Sequence, residues 1–111
     1  MAHIDFSMLI TAEHKAAEAR AETLAIYQSA IQGHLDAKAR ERQYDNIQTA
    51  VTYRDDPNPV FAAEAAALFA WRSAVWTAAY AMLDEVDEGS PPTVEAVIAE
   101  LPTLTWPEQG H

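Results

Sequence analysis

The chain has 111 residues, no cysteine and a net charge of −10, which fits one domain with a modest core and excludes a disulfide framework or a cysteine zinc site. The acidity is uneven: beyond Arg54 the only basic residue is Arg72, so the clustered Lys and Arg that a nucleic acid or an anionic membrane surface would need are missing. No run reaches the length of a membrane span, and no basic-then-apolar leader opens the chain, so the expected compartment is the cytoplasm in which it is made.

In chain order, Ile4, Phe6 and Met8 alternate with polar or small residues, the pattern of a short strand or extended arm. Residues 1–10 are therefore expected to form an N-terminal arm, residues 11–106 a single helical domain, and residues 107–111 a frayed tail. Thr11 is a candidate cap for a long helix over about 11–42. Leu24, Tyr27, Ile31, His34 and Leu35 recur at spacings of three and four and make one apolar stripe on it. Upstream, Ala16, Ala17, Ala19 and Ala21 offer little area to bury, so this part projects from the domain or pairs with a helix at close range. Lys38, Arg40 and Arg42 suit its C-terminal end.

A short helix follows over about 45–53, with Asp45 and Gln48 at capping-box spacing. Asn58-Pro59 is an N-cap and first-turn pair for the next helix, expected over about 59–88. That helix is apolar almost all the way round. One face reads Phe61, Ala65, Leu68, Arg72, Val75, Ala79, Leu83 and Val86, flanked by Phe69 and Trp76 on one side and Trp71 on the other. The opposite face carries Ala66, Ala70, Ser73, Ala74, Thr77 and Ala81, small residues that let a second helix or subunit come close. Gly89 and the prolines at 91 and 92 stop the helix. Thr93 then caps a last short helix over about 94–101. The expectation is an all-α fold, a small bundle built on an antiparallel helical hairpin.

Arg72 is the polar residue that asks for a partner, since a buried guanidinium must be paired. Asp45 is the first candidate, with Glu18, Glu22 or a helix-end carbonyl as others; in the alternative, the helix is rotated and Arg72 runs out to water over Trp71 or Trp76. Phe61, Leu68, Phe69, Trp71, Trp76, Tyr80 and Leu83 are the expected core or interface anchors. The histidines at 3, 14, 34 and 111 share no metal-ligand spacing. The carboxylates at 55–56 and 84–88 sit beside prolines and at a helix end, where solvation outweighs a catalytic arrangement. No serine or threonine lies in a nucleophile-elbow context. No catalytic, cofactor or metal site is therefore expected.

Several blocks together resemble a known group of proteins: Tyr44-Asp45-Asn46-Ile47, Thr49 to Tyr53, the acidic proline-containing break, Phe61 to Glu64, Ala70-Trp71-Arg72 with Val75-Trp76, Tyr80, Leu83, and Pro92 to Glu95 ahead of Glu100-Leu101-Pro102. The pattern, over about Leu35 to Trp106, resembles the small helical domain of tailed-bacteriophage and prophage tail proteins. The resemblance implies a non-enzymatic tail or tail-fibre component of the virion, assembled in the host cytoplasm through contacts with other tail proteins and homo-oligomeric. It equally allows a tail-fibre assembly chaperone absent from the mature particle. A small prophage-encoded, host-directed regulator is the reading of a different class.

Overall fold

The computed structural model describes residues 6–86 and 89–107, with side chains from His14 onward. Every described element is helical: α1 (Phe6–Arg40), α2 (Ile47–Val51), a 3₁₀ turn (Thr52–Asp55), α3 (Pro59–Asp84) and α4 (Val94–Ala99). The chain is all-α, with two long helices and two short ones among the described residues.

The expected N-terminal arm is corrected in part. Helix α1 begins at Phe6, so residues 6–10 are helical and Thr11 lies inside the helix rather than capping it. Residues 1–5 lie outside the described residues. The Phe6/Met8 alternation is too short to specify a strand, and no strand is present among the described residues to pair with it. Backbone hydrogen bonding is satisfied instead by extending the helix.

The C-terminal end of α1 is a left-handed stop without glycine. Gln43 has φ 75°. The Gln43 amide donates to the carbonyl of Arg40 at 3.0 Å and the Tyr44 amide to that of Ala39 at 3.2 Å, the paired bonds of a Schellman motif. The accompanying apolar contact is present, because Ala39 is buried and Tyr44 packs against the same core. A glutamine Cβ is strained in this conformation, and glycine is not. Gln43→Gly is therefore expected to stabilise the fold by about 0.5–1 kcal/mol, after allowing for the added freedom of the unfolded chain. An unchanged or lowered urea midpoint would count against this account of the stop.

Helix α2 is capped twice. Asn46, not Asp45, is its N-cap, and its side chain accepts from the Thr49 amide at 2.7 Å. Asp36 of α1 accepts from the Ile47 amide at 3.0 Å, which ties α2 to α1. Helix α3 starts as expected, with Asn58 Oδ1 accepting from the amides of Val60 and Phe61 and Pro59 in the first turn. It stops at Asp84 rather than near 88. Acids at the negative end of the helix dipole disfavour continuing it. Thr93 caps α4 through the Ala96 amide.

The two long helices run antiparallel. His34 meets Trp71, and Arg42 meets Glu64, so residue numbers rise along one helix as they fall along the other. The segment from Pro92 to Trp106 lies along both. The Tyr27 hydroxyl donates to the Pro92 carbonyl, the Trp71 indole to the Pro102 carbonyl at 2.8 Å, and the Trp106 indole to Glu41 at 3.3 Å. The core collects Tyr27, Ile31 and Leu35 of α1, Ile47 and Val51 of α2, Leu68, Trp71, Val75 and Leu83 of α3, and Val97, Leu101 and Leu104 from the C-terminal segment. Burying these side chains from water is the main stabilising term.

The core covers only the C-terminal part of α1. Among the described side chains, its first buried residue is Tyr27. Residues 14–19 are all exposed, and Ile26 is 61% exposed. The helix thus projects for about 30 Å beyond the body, at 1.5 Å per residue. The molecule measures 82 × 24 × 18 Å, with a radius of gyration of 19.9 Å, against about 13 Å for a compact domain of this length.

Candidate functional site

Two side-chain clusters stand out, one buried and one open. The buried cluster is polar and joins α1 to α3. Glu64 is 4% exposed. Its carboxylate accepts from Arg42 Nη1 at 2.7 Å and from the Tyr44 hydroxyl at 3.0 Å. Arg42 also stacks its guanidinium over the Trp106 ring, 4.7 Å from the centroid. One carboxylate therefore organises the end of α1, the start of α3 and the C-terminal segment. Burial, then the hydrogen bond to Glu64, pushes the Tyr44 phenol up to about 12.

That shift has a signed consequence. The native state holds the Tyr44 proton more tightly than the unfolded chain, whose tyrosines titrate near the ordinary value of 10.0. The resulting stabilisation is complete below about pH 10 and is lost as pH rises toward about 12. Urea midpoints measured across this window should fall more for the native chain than for Tyr44→Phe. Parallel curves for the two proteins would contradict the assignment.

The open cluster lies along an exposed side of α3. Gln32, Phe69, Arg72, Ser73, Trp76 and Tyr80 line a groove of about 560 Å³. Its aromatic members are accessible: Phe69 is 46% exposed and Tyr80 57%. The Trp76 and Tyr80 rings are 5.8 Å apart, and the Arg54 guanidinium covers one face of Phe69 at 4.0 Å. Arg72 is half-buried in the groove and forms no ion pair with any described residue. Aromatic walls around an available guanidinium suit an apolar segment that carries a carboxylate.

The proposed anchors separate accordingly. Leu68, Trp71 and Leu83 are buried, while Phe61, Phe69 and Tyr80 are exposed and Trp76 is half-buried. The pairing of Arg72 with Asp45 is not formed. Asp45 is exposed and offers its backbone carbonyl to Arg40 Nε at 3.0 Å. The buried ion pair between helices is Arg42–Glu64 instead. The expected inner face of α3 is largely kept, with Ala65, Leu68, Val75, Ala79 and Leu83 buried, but at its middle Trp71, not Arg72, faces α1, where its ring meets His34 edge-on at 5.6 Å. Burial beside Trp71, and then the Lys38 charge, lower the pKa of His34 below the usual histidine value. The small-residue side of α3, with Ala66, Ala70, Ser73, Ala74, Thr77 and Ala81, is exposed, and Ser73 belongs to the groove.

Sequence reading missed Glu64 as a site residue. The available signal was its place in the series Glu64, Leu68, Trp71, Val75, opposite the basic end of the preceding helix. A second pocket of about 410 Å³ lies at the other end of α3, among Met82, Val86, Pro92, Val97 and the carboxylates of Glu85 and Glu100. Both carboxylates are exposed to solvent. Asp87 and Glu88 of the acidic run lie outside the described residues. Among the described residues, no group of three or more His, Cys, Asp or Glu side chains is placed to hold a metal ion, and no helix is long and apolar enough to cross a membrane.

The comparisons with known proteins leave the geometry to speak for itself. No family model, no curated protein and no solved structure matches the chain.

Proposed function

We propose that this chain is a non-enzymatic interaction protein of a phage tail, acting as a tail or tail-fibre component within the virion. The observation that carries the interaction part is the open aromatic groove on α3. Phe69, Trp76 and Tyr80 surround Arg72 there, and each of these side chains would gain a partner on docking. Aromatic and arginine side chains dominate the energetics of protein interfaces, so this composition favours a protein ligand. The tail context rests on the resemblance of Tyr44 to Asn46, Trp71-Arg72, Trp76 and Tyr80 to the helical domain of tail proteins. The low Lys and Arg content argues against a nucleic-acid partner.

Mass spectrometry of purified particles tests the role. A virion component is recovered from particles in stoichiometric amount together with tail proteins. Recovery bound to a tail protein in the producing cell, but not in particles, would replace this role with that of an assembly chaperone. Association with host proteins alone would overturn the tail reading. Arg72→Glu together with Tyr80→Ala is expected to weaken the partner contact at least tenfold, while leaving the thermal midpoint within a few degrees of the native chain, because both side chains lie outside the core.

A further inference from the structure

The projecting half of α1 prolongs the face that enters the core, and, among its described residues, 14–19 are exposed. The stripe that buries Tyr27, Ile31 and Leu35 continues toward the N-terminus through positions 6, 10, 13, 17, 20 and 24, in the alternating steps of four and three that keep residues on one helix face. Those positions are Phe6, Ile10, Glu13, Ala17, Arg20 and Leu24. The outer side holds Lys15, Glu18 and Glu22, and His14 Nε2 lies 2.8 Å from Glu18 Oε1 there. Leu24 packs at the edge of the core, and farther out the described residues 14–19 are all exposed. A free-standing helix of this length is marginal in water, even when rich in alanine.

We propose that this segment pairs with the same segment of a second copy, antiparallel and overlapped along its whole length. Charge and length together select this occupant. A parallel pair in register would set Glu13 against Glu13 and Arg20 against Arg20 within the stripe, which is repulsive. The antiparallel pair sets Glu13 of each copy against Arg20 of the other, twice by symmetry. In that register Ala17 falls at the centre, where small side chains let the helices close in, and position 24 meets the region of position 10. Position 6 comes level with Tyr27, the first residue of the other copy's core, so the overlap ends where the two bodies begin. The pairing adds a self-association surface to the interaction protein proposed above, and it is separate from the α3 groove.

Analytical ultracentrifugation of the full-length protein tests it. The native chain should sediment as a dimer. Arg20→Glu should weaken the dimer at least tenfold, and the double variant Glu13→Arg with Arg20→Glu should restore it. The chain has no cysteine, so single-cysteine variants report the direction of the helices. Ala17→Cys should form a disulfide-linked dimer on mild oxidation, and Ile10→Cys should not, because antiparallel pairing separates its two copies by about 20 Å. A monomeric native chain, a dimer indifferent to Arg20→Glu, or efficient linking through Ile10→Cys would each overturn the proposal. None of these results depends on the groove, since the groove variant Arg72→Glu should leave the dimer intact.

Discussion

Replacing Trp71 with alanine should cost about 3–5 kcal/mol, the range for deleting a large aromatic side chain from a packed core. Trp71 is 6% exposed and sits where three parts of the chain meet. Its ring packs edge-on against His34 of α1, and its indole nitrogen holds the Pro102 carbonyl at 2.8 Å. Alanine leaves a cavity between the two long helices, together with an unpaired carbonyl on the C-terminal segment. A loss of this size is a large share of the stability of any domain of this length, and the thermal midpoint should drop by roughly 12 °C or more. Trp71→Phe keeps most of the volume and loses only the hydrogen bond, so it should cost about 1–2 kcal/mol. Near-equal effects from the two substitutions would mean that the indole bond, not the packing, holds the C-terminal segment.

The second large effect is expected at Glu64. Glu64→Ala removes the acceptor for both Arg42 and Tyr44. Breaking a fully buried ion pair costs roughly 3–5 kcal/mol. The Arg42 side chain is 34% exposed and can turn to water, which brings the expected loss to about 2–3 kcal/mol. Glu64→Gln keeps an acceptor for the Tyr44 hydroxyl and should cost less. It also removes the carboxylate charge that adds to burial in raising the Tyr44 pKa, so the phenol should titrate below about 12. An unchanged Tyr44 titration in Glu64→Gln would show that burial alone sets it.

The parts of this fold that were legible in the sequence are those with a local chemical cause. Asn58-Pro59 and Thr93 mark helix starts because their side chains, or the missing proline amide, satisfy first-turn donors whatever the tertiary context. The Tyr27, Ile31, Leu35 stripe was equally readable, since polar residues flank it. Helix α3 was placed, with Ala65, Leu68, Val75, Ala79 and Leu83 on its buried face, but its central contact with α1 was misassigned for the opposite reason. It is apolar nearly all the way round, so its pattern does not distinguish Trp71 from Arg72 as the residue facing α1. That one-position error moved the ion pair from Arg42–Glu64 to Arg72–Asp45. It also put Phe69 and Tyr80 among the anchors without showing that they stand open to solvent. Gln43 carries no sequence signal for a left-handed stop, because glutamine has no preference for that conformation.

The inward placement of Trp71 also makes the groove. Turning Trp71 inward leaves Arg72, Trp76 and Tyr80 on an outer face, where the only Lys or Arg side chain beyond Arg54 lies among aromatic rings. A side chain needed only for solubility would not require such surroundings, and exposed aromatics of this kind mark a contact surface. The buried Arg42–Glu64–Tyr44 cluster and the Trp71 packing fix the orientation of α3, and through it the groove. The fold and the docking surface therefore depend on the same helix by two different faces.

Photo-cross-linking from the groove tests this account most directly. Benzoylphenylalanine introduced in place of Tyr80, in cells producing the particles, should capture a tail protein. The same probe in place of Gln48, exposed on α2, should not, and Arg72→Glu should abolish the Tyr80 product. Capture from Gln48 but not from Tyr80, or a Tyr80 product that persists with Arg72→Glu, would contradict a docking surface on α3.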